Sequence, residues 1–271
     1  MRRLLRRPLP ERVSDGLLGY QRGLAPEAPV ESYWEQRRGS NTLKAVEAAL
    51  RALAPGRARC MYCDDSEGCD IDHFEPKATA AGRQRVFDWD NLLWACTPCN
   101  RAKLNRFDPE AINPTHDDPM NHLVLSSSTG CWEARVLGGA GAERRDARGE
   151  ATLRSLDALN RQSVAIGRAQ AGKYLCEILL PLYATYHAQG DLRRAALIQS
   201  TVTTSPFSDV FAWMLRVDAE NPATTSSPIG ALVSQHPEMQ RWLADADEAR
   251  WEAAAQGLDE LARGIRRRRS G

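Results

Sequence analysis

The spacing of apolar positions changes several times along this chain, and the changes divide it. Residues 1–39 hold no sustained periodicity and contain Pro8, Pro10, Pro26 and Pro29, which predicts an extended arm with one short helix. Helical spacing begins after Ser40, a favoured N-cap residue, and places Leu43, Val46, Leu50 and Leu53 on one face. Pro55-Gly56 stops that helix and delivers the chain to Cys60.

Residues 57–110 hold the densest chemistry of the sequence. Asn113-Pro114 and Asp118-Pro119 then mark turns. HLVLSSSTGCWEARVL, from His122 to Leu137, reads as two short strands around a Ser/Thr/Gly turn, and the GGAGAERRDARG that follows reads as a mobile loop ending near Gly149. From Glu150 onward the spacing is helical. Leu153, Leu156 and Leu159 lead into a long pattern reaching about Gln189, which Pro181 should kink or divide. Asp191 to Val202 is a further helix, Ser205-Pro206 offers a cap and first-turn proline for FSDVFAWMLR, and a Pro/Thr/Ser linker at 221–228 precedes a last helix from about Pro237 to Arg263.

The expected fold is α+β and predominantly helical: a small core around the CxxC…CxxC pairs, followed by a helical C-terminal region. Four segments are expected: an N-terminal arm and helix at 1–55, the core at 56–115, short strands and a loop at 116–149, and helices at 150–271. Trp213, Trp242 and Trp251 are expected to pack inside that helical part.

Composition sharpens this picture only a little. Hydrophobic content of 42% and charged content of 26% are those of an ordinary globular protein. No apolar run approaches the roughly 20 residues that cross a bilayer, and MRRLLRRPLPER lacks the apolar segment of a secretory signal. A cytoplasmic protein with no membrane partner is expected. The net charge of +1 hides basic ends, Arg2, Arg3, Arg6, Arg7 and Arg12 at one and Arg266 to Arg269 at the other. Such ends either contact phosphate backbones or are solvated tails, and the charge pattern does not choose between them.

Seven cysteines are an odd number for a disulfide framework, and four of them form two CxxC pairs. Cys60, Cys63, Cys96 and Cys99 supply four thiolates, the donor set of a closed tetrahedral zinc site. A closed site leaves no position for substrate, so this zinc would be structural. Cys69 is near enough to substitute as a ligand but reads better as a free thiol, while Cys131 and Cys176 read as small buried hydrophobes.

Between the knuckles, Asp70-Ile71-Asp72-His73-Phe74 alternates as a strand does. A histidine beside a carboxylate can act as a general base on water if its ring stays neutral and a second group orients it. Alone, such a histidine is more often structural. Here Asn91 and Asn100 follow within the same scaffold, and Lys77, Arg101 and Lys103 lie near enough in sequence to reach phosphates.

CMYC, DIDHF, Asn91 in DWDNLLWAC, and CNRAK resemble the HNH endonuclease family. The resemblance implies a ββα-metal core with His73 at a strand end, Asn91 in the connecting loop and Asn100 on the helix that opens at the second knuckle. It further implies His73 as general base, Asn91 orienting it and bracing the loop, and Asp72 with Asn100 holding one divalent cation, Mg²⁺ or Mn²⁺. Asn100 stands where many members have histidine, and its amide oxygen suits a hard ion better than zinc.

CxYC, IDHF-x-PK, F-x-W-x-NLL and CN-x-x-K, with the basic proline-containing N-terminus, the DP-rich segment and Leu156-x-x-Leu159-Asn160 before Arg168, together resemble the PtuB-type HNH proteins of Septu and some retron antiphage systems. That implies a nuclease effector acting on nucleic acid, DNA ahead of RNA, with an ABC-type (PtuA-like) ATPase partner. The chain has no P-loop, so any ATP dependence would come from that partner. The helical half is the expected partner surface. A different class of reading is a catalytically silent zinc ribbon that binds nucleic acid or scaffolds a partner. A third is a stand-alone restriction or homing nuclease, which would need a specificity module that no helix-turn-helix or finger pattern supplies.

Overall fold

Residues 1–39 fold into helices rather than an arm. In the computed structural model, which describes residues 1–103, 106–139, 141–220 and 229–264, α1 (Glu11–Arg22) and α2 (Val30–Arg38) start directly after Pro10 and Pro29. Those prolines mark helix starts, where a missing N–H costs nothing. Residues 1–10 are extended as expected but are no loose tail. Met1, Leu4 and Leu9 are buried, and the Met1 ammonium is paired with the Asp209 carboxylate.

Ser40 caps α3 (Asn41–Leu53), its hydroxyl accepting from the Leu43 amide at 3.2 Å. Leu43, Val46, Leu50 and Leu53 are buried as their spacing predicts, with Ala45 and Ala49 filling the stripe. A short turn, α4 (Pro55–Ala58), leads to the first knuckle, and a second, α5 (Ala80–Arg83), lies within the central motif.

The central motif is a ββα unit. Strand β1 (Asp70–His73) pairs antiparallel with β2 (Leu92–Ala95), Asp72 opposite Leu93 and His73 opposite Leu92, and β2 is followed by α6 (Thr97–Lys103), which opens at the second knuckle. All four residues of β2 are buried, because the ribbon is covered on both sides and α3 packs against it.

Strands β3 (Leu123–Leu125) and β4 (Trp132–Ala134) form the expected hairpin. Gly130 in its turn has φ +70°, and a Cβ there would stand 1.8 Å from the Ala165 carbonyl oxygen, so only glycine lets this turn lie on the next helical layer. The segment read as a mobile loop from Gly138 instead carries β6 (Arg144–Arg145), which pairs antiparallel with β5 (Val136–Leu137) just before it, and the start of α7 (Ala147–Ser155), capped by Asp146 on the Gly149 amide at 2.8 Å.

The helical half continues with a 3-10 turn (Asp157–Asn160), α8 (Gln162–Tyr174), a π segment (Leu175–Leu179) and α9 (Leu180–Ala188). Pro181 divides the long pattern here by standing in the first turn of α9 behind the π segment. Next come α10 (Leu192–Thr204), capped by Asp191, and α11 (Ser208–Glu220), which starts after Phe207 rather than at Ser205-Pro206. Phe207 holds φ +65° and its amide donates to the Asp64 carbonyl at 2.8 Å, so a contact with the knuckle sets this boundary. Then α12 (Gly230–Gln235) and a 3-10 turn (Pro237–Arg241) lead into α13 (Trp242–Ala262), which packs along α3 and α1. Trp242 and Trp251 are buried, and Trp213 is half-buried with its ring edge-on to Trp132. The 221–228 linker and Arg266 to Arg269 lie outside the described residues. No helix among the described residues is long and apolar enough to cross a membrane.

Candidate active site

The two knuckles close on each other. Cys60, Cys63, Cys96 and Cys99 are all buried, and one donor atom from each lies within 4.8 Å of the others, with the Cys63 and Cys96 sulfurs 3.9 Å apart. Four thiolates at that spacing suit a tetrahedral zinc with bonds of about 2.3 Å. Cys69 is exposed and outside the cluster, its sulfur 3.2 Å from the Thr97 hydroxyl. Cys131 and Cys176 are half-buried rather than fully inside.

Arg161, just after the 3-10 turn, reaches back to this cluster. Its guanidinium lies 3.8 Å from the Cys99 sulfur and 3.9 Å from that of Cys63, and it also donates to Asp65 at 2.9 Å and the Ser66 hydroxyl at 2.8 Å. Arg168, buried on α8, donates to the Leu159 carbonyl at 2.9 Å and to the Cys63 carbonyl at 3.4 Å, and lies 3.5 Å from Asp209. Two arginines thus tie the helical half to the first knuckle.

On the other side of the ribbon, Asp72, His73 and Asn100 line one cleft of about 600 Å³, together with Trp34, Arg38, Lys77 and Arg101. His73 is 5% exposed. Its Nε2 lies 2.9 Å from the Val86 carbonyl oxygen, and the Trp34 ring stands edge-on at 4.5 Å between centroids. Burial, with the charge of Lys77 added, pulls its pKa down to about 3, so the ring is neutral. A carbonyl only accepts, so Nε2 carries the proton and Nδ1 is left as the acceptor.

Asn91 is fully buried and holds two loop segments together. Its Oδ1 accepts from the Glu75 amide at 2.7 Å, and its Nδ2 donates to the carbonyls of Glu75 at 3.2 Å and Arg85 at 3.0 Å. These bonds join the Glu75 and Arg85 segments. The orienting bond on His73 comes from Val86, the residue next to one of the carbonyls that Asn91 grips.

Asp72 accepts from the Tyr62 hydroxyl at 2.6 Å and lies 3.2 Å from the Lys103 ammonium. Burial raises the carboxyl and lowers the Lys103 ammonium against their mutual attraction. Lys103 also donates to the carbonyls of His73 and Phe74, the latter at 2.8 Å. At 2% exposed, it is held at the end of β1 by Asp72 and these two carbonyls and lies on the inner wall of the cleft. Lys77 is paired with Glu31 at 3.1 Å. Arg101 is exposed and forms no ion pair among the described residues. A carboxylate and a half-exposed amide on one cleft wall are oxygen donors, which fit a hard divalent cation and not a soft one.

Trp34, Tyr62, Lys103, Arg161 and the Val86 carbonyl complete the site, and reading the chain for ligands and bases missed their roles. CMYC and CNRAK contain two of them, so the motif itself was the available signal. No curated protein and no solved structure matches this chain. Residues 60–106, from the first knuckle to just past α6, match the family model described as HNH endonuclease, and the ββα unit with its two knuckles is an HNH domain.

Proposed function

We propose that this chain is a metal-dependent endonuclease that hydrolyses nucleic-acid phosphodiester bonds, DNA ahead of RNA, in the cleft of Asp72, His73 and Asn100. The observation that carries the reading is a neutral His73, pinned through Nε2 and free at Nδ1, beside two oxygen donors in the segment that matches the HNH model. His73 takes a proton at Nδ1 from the attacking water, a role worth about 10²–10⁴-fold in rate. Asp72 and Asn100 would hold Mg²⁺ or Mn²⁺, which would offset charge on the phosphate and the departing 3′ oxygen. Asn91 keeps the Glu75 and Arg85 segments in register, and the exposed Arg101 holds phosphate oxygens at the cleft rim. The four cysteines hold a structural zinc that keeps β2 and α6 in place.

In its finer form the reading makes the chain a nuclease effector of antiphage defence, working in the cytoplasm with an ABC-type ATPase. The resemblance to PtuB-type proteins supports this, as does a series of exposed apolar side chains on the helical half: Tyr174, Ile178, Leu182, Leu192 and Leu197.

A catalytically silent zinc module is the competing reading, and it draws on one observation: Asp72 is 5% exposed and already engaged by Tyr62 and Lys103. Plasmid nicking with Mg²⁺ or Mn²⁺, with and without an ABC-type ATPase partner of the proposed kind, separates the two. Nicking by the wild type that His73→Ala lowers at least a hundredfold supports the enzyme. Equal inertness of both proteins in every condition sinks it.

A further inference from the structure

Among the described residues, one other group has metal-ligating side chains within reach of one another, and it lies in the helical half: His187, His236 and Glu238. One donor atom from each falls within 4.8 Å of the others. They come from different segments. His187 is in the last turn of α9, His236 ends α12, and Glu238 is in the 3-10 turn that leads into α13. We propose that these three side chains form a second metal site, for a divalent first-row transition ion of the zinc class, that ties α9 to the α12–α13 junction.

The donors are already held for this. The Tyr183 hydroxyl donates to Glu238 Oε1 at 2.8 Å, and His236 Nδ1 lies 3.3 Å from the same oxygen. Tyr183 is buried against Trp242, their rings 4.6 Å apart and edge-on, so the tyrosine that fixes the carboxylate is itself fixed. A carboxylate ligand anchored by a hydrogen bond from a buried donor is the outer support that metal sites use. The His187 and His236 rings stand 4.9 Å apart at 78°, on the side where His187 is exposed.

The donor set names the ion class. Two imidazoles and one carboxylate, with no thiolate, favour Zn²⁺, Ni²⁺ or Co²⁺ over Mg²⁺ or Ca²⁺. Three protein ligands leave a coordination position open to water, unlike the closed cysteine site. Ring packing on Tyr183, 5.7 Å from His187 and 5.3 Å from His236 between centroids, brings the two histidines together, and the Glu238 carboxylate beside them completes a metal donor set.

The proposal is independent of the nuclease reading, and its test does not use activity. The full chain, with its cysteine site loaded, is titrated with ZnCl₂ while bound zinc is counted and Tm is followed. We expect a second equivalent to bind and Tm to rise by about 5 °C at saturating zinc. His187→Ala, at an exposed position, and Glu238→Gln, which keeps an oxygen for Tyr183, should retain the first equivalent and weaken the second at least tenfold, with the Tm rise lost. A wild type that takes up one equivalent only, or a second equivalent that survives in both variants, overturns the site. The latter result would place the extra ion elsewhere, the oxygen donors of the cleft included.

Discussion

The Nε2 of His73 and the carbonyl oxygen of Val86 lie 2.9 Å apart, and that contact decides which ring nitrogen can work as a base. It also has a thermodynamic consequence. The ring is buried with its pKa lowered from 6.5 to about 3, so between those values the unfolded chain binds more protons here than the folded one. The stability this residue contributes is complete above pH 6.5 and falls as pH drops toward 3. Between pH 7.5 and 5.5 the loss is about 1.4 kcal/mol. Urea unfolding at those two pH values, with zinc present, should show that loss in the wild type and its absence in His73→Asn. An identical pH dependence in the two proteins would contradict the assignment.

Lys103 tests whether burial or phosphate binding explains the lysine of CNRAK. Its ammonium faces Asp72 and two backbone carbonyls at 2% exposure. Lys103→Met should leave Asp72 without its cation and cost roughly 3–5 kcal/mol of stability. A variant of unchanged Tm whose only defect is a weaker, less salt-dependent affinity for nucleic acid would return Lys103 to the phosphate role.

Asn91 should behave as a brace. Replacing it with alanine strands the Glu75 amide and two carbonyls inside the protein, at about 1–3 kcal/mol per unsatisfied group. We expect Asn91→Ala to lose roughly 3 kcal/mol overall. Asn91→Asp should not rescue it, since a carboxylate would face the carbonyls of Glu75 and Arg85 in place of two donors. Denaturant midpoints read this directly, and full stability of Asn91→Asp would sink the idea.

These contacts show what the sequence makes legible and what it hides. Ser40, the two knuckles, the strand alternation from Asp70 and the Leu43/Val46/Leu50/Leu53 face are local patterns, and each is found where its spacing places it, whereas the β1–β2 pairing is implied only by the family resemblance. Pro10 and Pro29 were ambiguous, because a proline that breaks a helix from within also starts one from outside, and α1 and α2 follow from the second use. The Trp34 contact to His73 crosses 38 intervening residues, so no local pattern could announce it. The Val86 carbonyl is a backbone group and has no residue type to signal it. Lys103 reads as a surface charge until α6 is laid on β1.

Arg161 should matter for metal retention more than for the fold. Its guanidinium sits within 4 Å of two thiolates of a site whose four sulfurs carry excess negative charge. Arg161→Gln should remain folded but release zinc to a chromogenic chelator about ten times faster, since outer partners typically carry 10–100-fold in affinity. Cys99→Ser should instead fail to hold zinc and lose its folded state, because structural zinc contributes folding free energy. A soluble, folded, zinc-free Cys99→Ser protein would contradict a structural role for the metal.

The exposed apolar residues of the helical half make the partner proposal testable at single positions. Tyr174, Ile178 and Leu182 recur at helical spacing through α8, the π segment and α9, and Leu192 and Leu197 follow on the neighbouring α10. Lone exposed leucines are common on any surface, and it is their clustering on adjoining helices that points to an interface. Because Leu197 is 66% exposed and Ile178 40%, an aspartate at either should change stability by no more than about 0.5 kcal/mol. At the centre of an interface the same charge would have to be desolvated without a partner, and the double variant Ile178→Asp/Leu197→Asp should reduce co-purification with the proposed ATPase partner at least tenfold. Metal-dependent nicking by the isolated chain should be unchanged, since neither residue lines the His73 cleft. Undiminished co-purification of a folded double variant would move the partner surface off this face.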